Sequence, residues 1–395
     1  MTHKEKFSVS NEQLRNIFFV QYLAGLIQLM LKEIQKIKLA LTTDCVLNCN
    51  HCRIDKSARM TMPYEYAEKG IRMLLDSPGR QKRLELYGGE PFLKYDLMKK
   101  CVRFAREYSA ERNKLLSISI ATNGLLIDKE KTDFLKENRI NLSISVSGSK
   151  ENHDLCRIFP DGRGSWDALE PKIEFMLREM SHYDIVALEC VAPDGAFRLL
   201  QDMKTLVAKG FKVINVECVH GMDWSDGQLD QLASALQDFA DYLFDEIRRG
   251  NFVIPEPFIE FFRVGGADTP IFCPMYRDLE MYPDGNLSFY PFAFLHYEES
   301  REQVRIGTAE NGLFEKYLDC EQNKNEEQCE NCVSSYYRIP GLTSGAEAYS
   351  LRTSVLKKIF LEVLRLSKKE KIFAEYAKFL AMHKKREYKD YSISN

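Results

Sequence analysis

Three cysteines stand close together in Cys45-Val-Leu-Asn-Cys49-Asn-His-Cys52. With 11 cysteines in 395 residues, a chance CxxxCxxC is expected roughly 0.009 times, so the spacing carries information. Three thiolates on one short loop hold three corners of a cubane 4Fe-4S cluster and leave its fourth iron without a protein ligand. An open coordination position is what makes a bound metal reactive rather than structural. Zinc is the rival reading. It asks for four ligands, so His51 or a remote side chain would have to complete the set. A thiol cluster with a purely structural role is the bland alternative.

A second group follows far downstream: Cys273, Cys320, Cys329 and Cys332, the last two as CxxC. Four thiolates fill one further cluster, and three of them would leave an iron open; four also suit zinc. Cys101, Cys156, Cys190 and Cys218 lie in helix-like or strand-like surroundings and read as small buried hydrophobes. Of these, Cys156 is best placed to face a site, because it adjoins Arg157. The cysteines are too dilute for a disulfide scaffold.

The elements that must carry these loops are legible as short apolar runs alternating with helical patterns. The runs are Ile37–Leu41, Arg83–Tyr87, Leu116–Thr122, Asn141–Ser147, Ile185–Val191 and Val213–Val219. Helical patterns occupy Tyr64–Asp76, Tyr95–Tyr108, Lys129–Glu137, Trp166–Ser181, Arg198–Lys209 and Gly227–Arg249. Strands alternating with helices imply parallel βαβ units with right-handed crossovers. Two units short of a complete eight-strand barrel, they predict an α/β fold built on a partial (β/α)6 TIM-like barrel. The cysteine loop then follows the first strand, at the end where such barrels keep their sites.

Other strand ends carry further candidates. Gly88-Gly89-Glu90-Pro91 closes the second run; glycines let the backbone approach a ligand closely, and the carboxylate suits an ammonium group. Asn123-Gly124 ends the third run, where a plain turn is the simpler reading. Ser143-Ile144-Ser145-Val146-Ser147-Gly148 ends the fourth, followed by His153, Asp154 and Arg157. His153 and Asp154 suit a helix cap as well as a site. A guanidinium matches a carboxylate through paired donors, although a lone Arg is commonly a surface ion pair.

On these residues the chain resembles the radical S-adenosylmethionine (SAM) superfamily, and its SPASM/twitch subgroup in particular. The resemblance implies that Cys45, Cys49 and Cys52 hold a 4Fe-4S cluster whose open iron chelates SAM. It implies that Gly88, Gly89, Glu90 and Pro91 form the motif that holds the SAM amino group, and that Asn123 lies on a SAM-proximal or substrate-facing loop. Ser145 would meet SAM polar atoms and Arg157 the SAM carboxylate. The chain departs from the pattern at Ser147, where Asp is usual. Cys273, Gly285 and the downstream cysteines resemble the opening of a SPASM or twitch domain, but Tyr290 stands where the second cysteine belongs. One auxiliary 4Fe-4S cluster on Cys273, Cys320, Cys329 and Cys332 is the corresponding expectation.

The expected organisation is a helical segment over 1–35, the barrel over 36–255, a loop-rich, cysteine-bearing SPASM/twitch-like domain over 256–345 and a basic helical extension over 346–395. Pro and Gly punctuate the third stretch. In the last, 12 Lys and Arg face 6 Asp and Glu; this reads as a solvated helix face or as a surface for an acidic partner. Ile17–Leu31 is apolar enough to resemble an export signal, but it is too short to span a bilayer and reads as a buried amphipathic helix. Without an export signal the expected location is cytoplasmic, where thiols stay reduced. Hydrophobic residues at 45% and charged residues at 29% exclude wholesale disorder, and a net charge of −3 gives no general attraction to nucleic acid. No membrane partner is expected.

The resemblance implies an enzyme that cleaves SAM to a 5′-deoxyadenosyl radical and abstracts hydrogen from a peptide or protein. The product would be a crosslink, an epimer or an oxidised side chain, as in the maturation of ribosomal peptides. A low-potential donor such as flavodoxin or ferredoxin would supply the electron. About 36 residues before the barrel leave little room for a leader-binding domain, so a separate leader-binding protein or the C-terminal helices would serve. Sulfatase activation fits less well, since the auxiliary cysteines are few. A radical SAM dehydrogenase acting on a small molecule and a non-catalytic iron–sulfur or zinc interaction protein are the alternatives.

Overall fold

The computed structural model describes residues 33–52, 54–219, 222–263, 279–289, 305–314 and 345–386. The expected helix at Ile17–Leu31 lies outside them. So do Cys273, Cys320, Cys329, Cys332 and Tyr290.

The first half alternates as the pattern predicts. The elements are β1 (Lys36–Thr42), α1 (Tyr64–Asp76), β2 (Gln81–Gly88), α2 (Tyr95–Glu111), β3 (Leu115–Thr122), α3 (Lys129–Glu137) and β4 (Ile140–Ser145). Two helices follow, α4 (Lys150–Cys156) and α5 (Trp166–Glu179), then β5 (Ile185–Val191), α6 (Leu199–Lys209), β6 (Val213–Cys218) and α7 (Asp226–Arg248). Beyond them lie β7 (Ile254–Pro255), α8 (Glu256–Arg263), β8 (Leu279–Met281), β9 (Asn286–Phe289), β10 (Gly307–Thr308), β11 (Gly312–Leu313), α9 (Ala346–Leu366) and α10 (Lys371–Arg386).

The strands form one sheet in the order β11-β10-β9-β8-β1-β2-β3-β4-β5-β6-β7. From β8 to β7 every pairing is parallel; β8 to β11 pair antiparallel. Strand β8 comes from the 256–345 stretch and lies directly on β1, so part of that stretch extends the barrel wall.

Register decides what each face carries. Leu39, Leu86, Ile120, Leu142 and Ile185 are successive partners across five strands, and all are fully buried. Ile71 and Leu74 of α1, Met98 and Val102 of α2 and Leu135 of α3 join them in the main core. Each such side chain contributes roughly 1.5–3 kcal/mol by leaving water. One residue out of phase, the partners are Glu280, Lys38, Glu85, Ser119 and Asn141. Alternation puts this polar row on the opposite face, where Lys38 and Glu280 are also buried. The sheet therefore has an apolar, helix-covered side and a polar inner side.

Charges on the inner side are paired. Lys36 Nζ lies 2.8 Å from Glu85 and Lys38 Nζ 3.5 Å from it. Burial acts to raise the Glu85 pKa, but the two ammonium groups outweigh it and hold it at about 2.

The C-terminal helices belong to the core. Phe360 of α9 stacks edge-on with Phe258 of α8, and Phe373 and Phe379 of α10 pack on Phe244, Phe252 and Tyr183. Tyr376 donates to the Val253 carbonyl at 2.5 Å. Arg352 Nε donates to the Val216 carbonyl at 2.6 Å, and its Nη2 to Asn215 Oδ1 at 2.7 Å. Because β7 pairs only with Val213 and Ile214, Arg352 supplies a donor that the next strand does not. Among the described residues no helix is long and apolar enough to cross a membrane.

Glu85 titrates lower in the folded chain than unfolded, so its contribution is present above about pH 4.5 and is lost as pH falls toward about 2. Glu85→Gln should therefore melt below the wild type near neutrality, and the gap should close across that window when both are followed by circular dichroism.

Candidate functional site

The loop after β1 is sewn down at its root. Thr42 Oγ1 donates to the Met60 carbonyl at 2.6 Å and accepts the Asp44 N–H at 3.1 Å. Asp44 Oδ1 accepts the Cys45 N–H at 3.0 Å. Further along, Asn48 N–H reaches the Ile158 carbonyl at 2.7 Å and Asn50 N–H the Cys156 carbonyl at 2.8 Å. The Asn50 amide donates to the Leu155 carbonyl at 2.9 Å. These bonds lay the cysteine loop against the end of α4. A turn from Cys52 N–H to the Cys49 carbonyl at 3.1 Å shapes its second half.

Cys45, Cys49 and Cys52 are free thiols, each half-buried. Burial pushes Cys45 up to about 11 and raises Cys49. Two cations oppose this: Lys56 acts on both and Arg157 on Cys49. A thiol must lose its proton to bind metal, so these cations favour the ligating form. Among the described residues no three His, Cys, Asp or Glu side chains surround a single-ion position. A cubane takes each thiolate on a different iron, so it asks for sulfurs on one loop without demanding that they meet at a point.

Gly88 and Gly89 also lie against a neighbour within the chain. Gly88 has φ +136°, and a Cβ there would lie 2.3 Å from the Thr42 carbonyl oxygen; a Cβ at Gly89 would lie 2.2 Å from that of Asp44. Gly89 N–H donates to Thr42 O at 2.7 Å and Glu90 N–H to Asp44 O at 2.8 Å. The close approach that needs glycine is thus to the root of the cysteine loop. Glu90 is fully buried. Its oxygens accept from Thr122 Oγ1 at 2.8 and 2.9 Å, from Asn123 N–H at 2.9 Å and from Phe92 N–H at 3.1 Å. Where the sequence left this carboxylate open to an ammonium group, the structure gives both oxygens protein donors. Burial raises its pKa to about 7 against those hydrogen bonds. Pro91 opens a short 3-10 turn, Pro91–Lys94.

Asn123 ties β3 to the loop: its Nδ2 points to Cys45 Sγ at 3.7 Å, and its Oδ1 accepts Leu125 N–H at 3.0 Å. Ser145 ends β4, half-exposed, two residues on from Ser143 on the polar face. Arg157, just after α4, is 5% exposed, and its Nη2 has no hydrogen-bond partner. Its charge faces Cys190, Cys49 and Glu189. A buried guanidinium with an idle donor beside a thiol loop fits a site completed by an anionic ligand.

His153 and Asp154 hold the frame. His153 Nδ1 accepts Ser147 N–H at 3.3 Å, its Nε2 meets Ser165 Oγ at 3.0 Å, and burial followed by the nearby Arg157 pushes its pKa down to about 2. Asp154 Oδ1 accepts Trp166 N–H at 2.9 Å, starting α5 rather than its own helix. Sequence reasoning passed over Glu189 and Asp202, both fully buried. A carboxylate inside the otherwise apolar run Ile185–Val191 was the available signal, since acids are seldom buried without a reason.

The comparisons agree with this arrangement. Residues 39–182 match the Radical SAM superfamily profile. A cysteine-type anaerobic sulfatase-maturating enzyme of Clostridium novyi is 24% identical over 318 residues, 74% of this chain and 83% of that protein. The radical SAM cyclopropyl synthase TigE of Paramaledivibacter caminithermalis is 22% identical over 234 residues, 54% of this chain and 48% of that protein. Among solved structures, native anSMEcpe with bound AdoMet superposes with a TM-score of 0.62 at 20% identity, over 83% of this chain and 99% of that one. Streptococcus suis SuiB bound to S-adenosylmethionine gives 0.53 at 14%, over 80% and 73%; at these identities the structures establish the fold. Over residues 39–182 the chain is similar to the radical SAM superfamily, and it is an enzyme. Cysteine-type anaerobic sulfatase-maturating enzymes recur among the relatives.

Gly89→Ala forces Asp44 and the cysteine loop to move, so it should destabilise the fold by about 1–3 kcal/mol. Urea unfolding of the cluster-free chain measures this, with Gly227→Ala, whose Cβ meets nothing within 4 Å, as a comparison.

Proposed function

We propose that this enzyme uses SAM to modify a side chain of a peptide or protein substrate. Cys45, Cys49 and Cys52 would hold a 4Fe-4S cluster, with Lys56 and Arg157 stabilising the thiolate form. Arg157 would take the SAM carboxylate, and Asn123 and Ser145 would line the nucleotide side. When bound, the cluster and SAM supply a 5′-deoxyadenosyl radical that takes a hydrogen atom from the substrate. Glu90 fixes the ends of β2 and β3 around that position, and Gly88 and Gly89 fix the loop. The observation that carries this reading is the idle Nη2 of buried Arg157 beside the Cys49 loop.

A peptide substrate is supported by the names of the relatives. Sulfatase-maturating enzymes recur among them, and anSMEcpe with bound AdoMet is also known with Cp18Cys and Kp18Cys peptides. Crosslinking, epimerisation and oxidation are all within reach of the same hydrogen abstraction. Residues 256–345 would form the auxiliary domain, with Cys273, Cys320, Cys329 and Cys332 holding one further 4Fe-4S cluster. A low-potential flavodoxin or ferredoxin would deliver the electron, and a separate leader-binding protein would present the substrate.

Anaerobic reconstitution with SAM and dithionite should yield 5′-deoxyadenosine, and Cys49→Ala should reduce this to background; undiminished product from the variant would refute the assignment. Iron analysis separates the cluster counts. About eight irons per chain means two cubanes and about four means one, and Cys329→Ala with Cys332→Ala should bring the count from about eight to about four.

A further inference from the structure

Two N–H groups converge on one of the three thiols of the cysteine loop. Leu47 N–H, on the loop itself, lies 3.4 Å from Cys45 Sγ. Asn123 Nδ2, just past the end of β3 and 78 residues along the chain, lies 3.7 Å from the same sulfur. The Leu47 bond comes with the loop. The Asn123 bond is made by the fold, and the surrounding bonds hold it in place.

Asn123 is buried. Its backbone N–H donates to Glu90 Oε2 at 2.9 Å, and its Oδ1 accepts Leu125 N–H at 3.0 Å. With the oxygen committed to Leu125, the NH2 end of the amide is the end that faces the sulfur. The sulfur is tied to the same acidic residue: Glu90 N–H donates to the Asp44 carbonyl at 2.8 Å, and Asp44 Oδ1 accepts Cys45 N–H at 3.0 Å. Thr122 closes the frame. Its Oγ1 donates to Glu90 at 2.8 Å and accepts Gly124 N–H at 3.0 Å. Donor and acceptor are thus both held from Glu90, which is fully buried. A plain Asn-Gly turn uses only the Oδ1 bond; here the other end of the amide is spent on a thiol.

We propose that Asn123 is a positioning residue for the cluster on Cys45, Cys49 and Cys52: its amide donates an N–H···S hydrogen bond to the Cys45 thiolate and so makes the cluster easier to reduce. This rests on the reading above that the three thiols hold that cluster. Reduction adds negative charge that spreads onto the ligating sulfurs. A donor on one of them therefore stabilises the reduced form more than the oxidised form, and hydrogen bonds to the sulfurs are among the levers that set a cluster's potential. Cys45 is half-buried, where such a bond is stronger than in water. The amide is neutral, so it acts without placing a further charge beside the loop.

The test is an anaerobic redox titration of the reconstituted enzyme without SAM, read by electron paramagnetic resonance. The signal followed is the one that changes when SAM is added to a parallel sample. Asn123→Ala should lower its midpoint, so that the reduced-to-oxidised ratio at a fixed applied potential falls about tenfold, or about 59 mV for one electron. Asn123→Asp keeps an acceptor for Leu125 N–H but sets an oxygen against the sulfur, and should lower the midpoint at least as far. The signal of any second cluster should stay where it is. An unchanged or raised midpoint in Asn123→Ala overturns the inference, as does an equal shift of both signals. Loss of the cluster from both variants also overturns it, because Asn123 would then merely brace the loop. A wild-type enzyme in which no cluster signal responds to SAM would instead refute the proposed function itself.

Discussion

The site depends on how closely the end of β2 lies against the end of β1. Two glycines remove every atom that would hold them apart, and two backbone hydrogen bonds close the gap. The cysteine loop leaves from that contact, and Glu90, one residue on, gathers Thr122, Asn123 and Phe92 around its carboxylate. A single tight junction thereby sets three strand ends and one loop in fixed relation. Shifting it by an ångström would move the thiols relative to Asn123 and Arg157 together.

A second constraint is the polarity of the sheet's inner face. Parallel sheets usually bury apolar residues on both sides. Here the row from Glu280 through Lys38, Glu85 and Ser119 to Asn141 is polar, and ion pairs to Glu85 neutralise part of it. Such a face is costly as a core and useful as the wall of a chamber for a polar ligand. The apolar side, packed by α1, α2 and α3, provides the stability that lets the other side stay polar.

Much of this was legible from the residues. Tyr64–Asp76, Lys129–Glu137 and Ile185–Val191 begin and end where the periodicity put them, because local apolar spacing fixes helix and strand faces. The cysteine loop announced itself by spacing alone. Long-range pairing was not legible. Nothing local says that β8, far along the chain, lies on β1, or that Arg352 reaches the Val216 carbonyl. The basic tail showed its apolar positions, and Phe360, Phe373 and Leu380 are buried, but what they pack against was not legible. Glycines at 88 and 89 were recognisable as permitting close approach, but what approaches them is a matter of tertiary register.

The outermost described strands, β7 and β11, are two residues long. A strand that short presents too few free amides and carbonyls to template another chain. On the β6 side, where the ladder would otherwise continue exposed above β7, the Arg352 guanidinium occupies the Val216 carbonyl. Among the described residues a wide sheet with a polar interior thus offers little free edge to a second copy of itself.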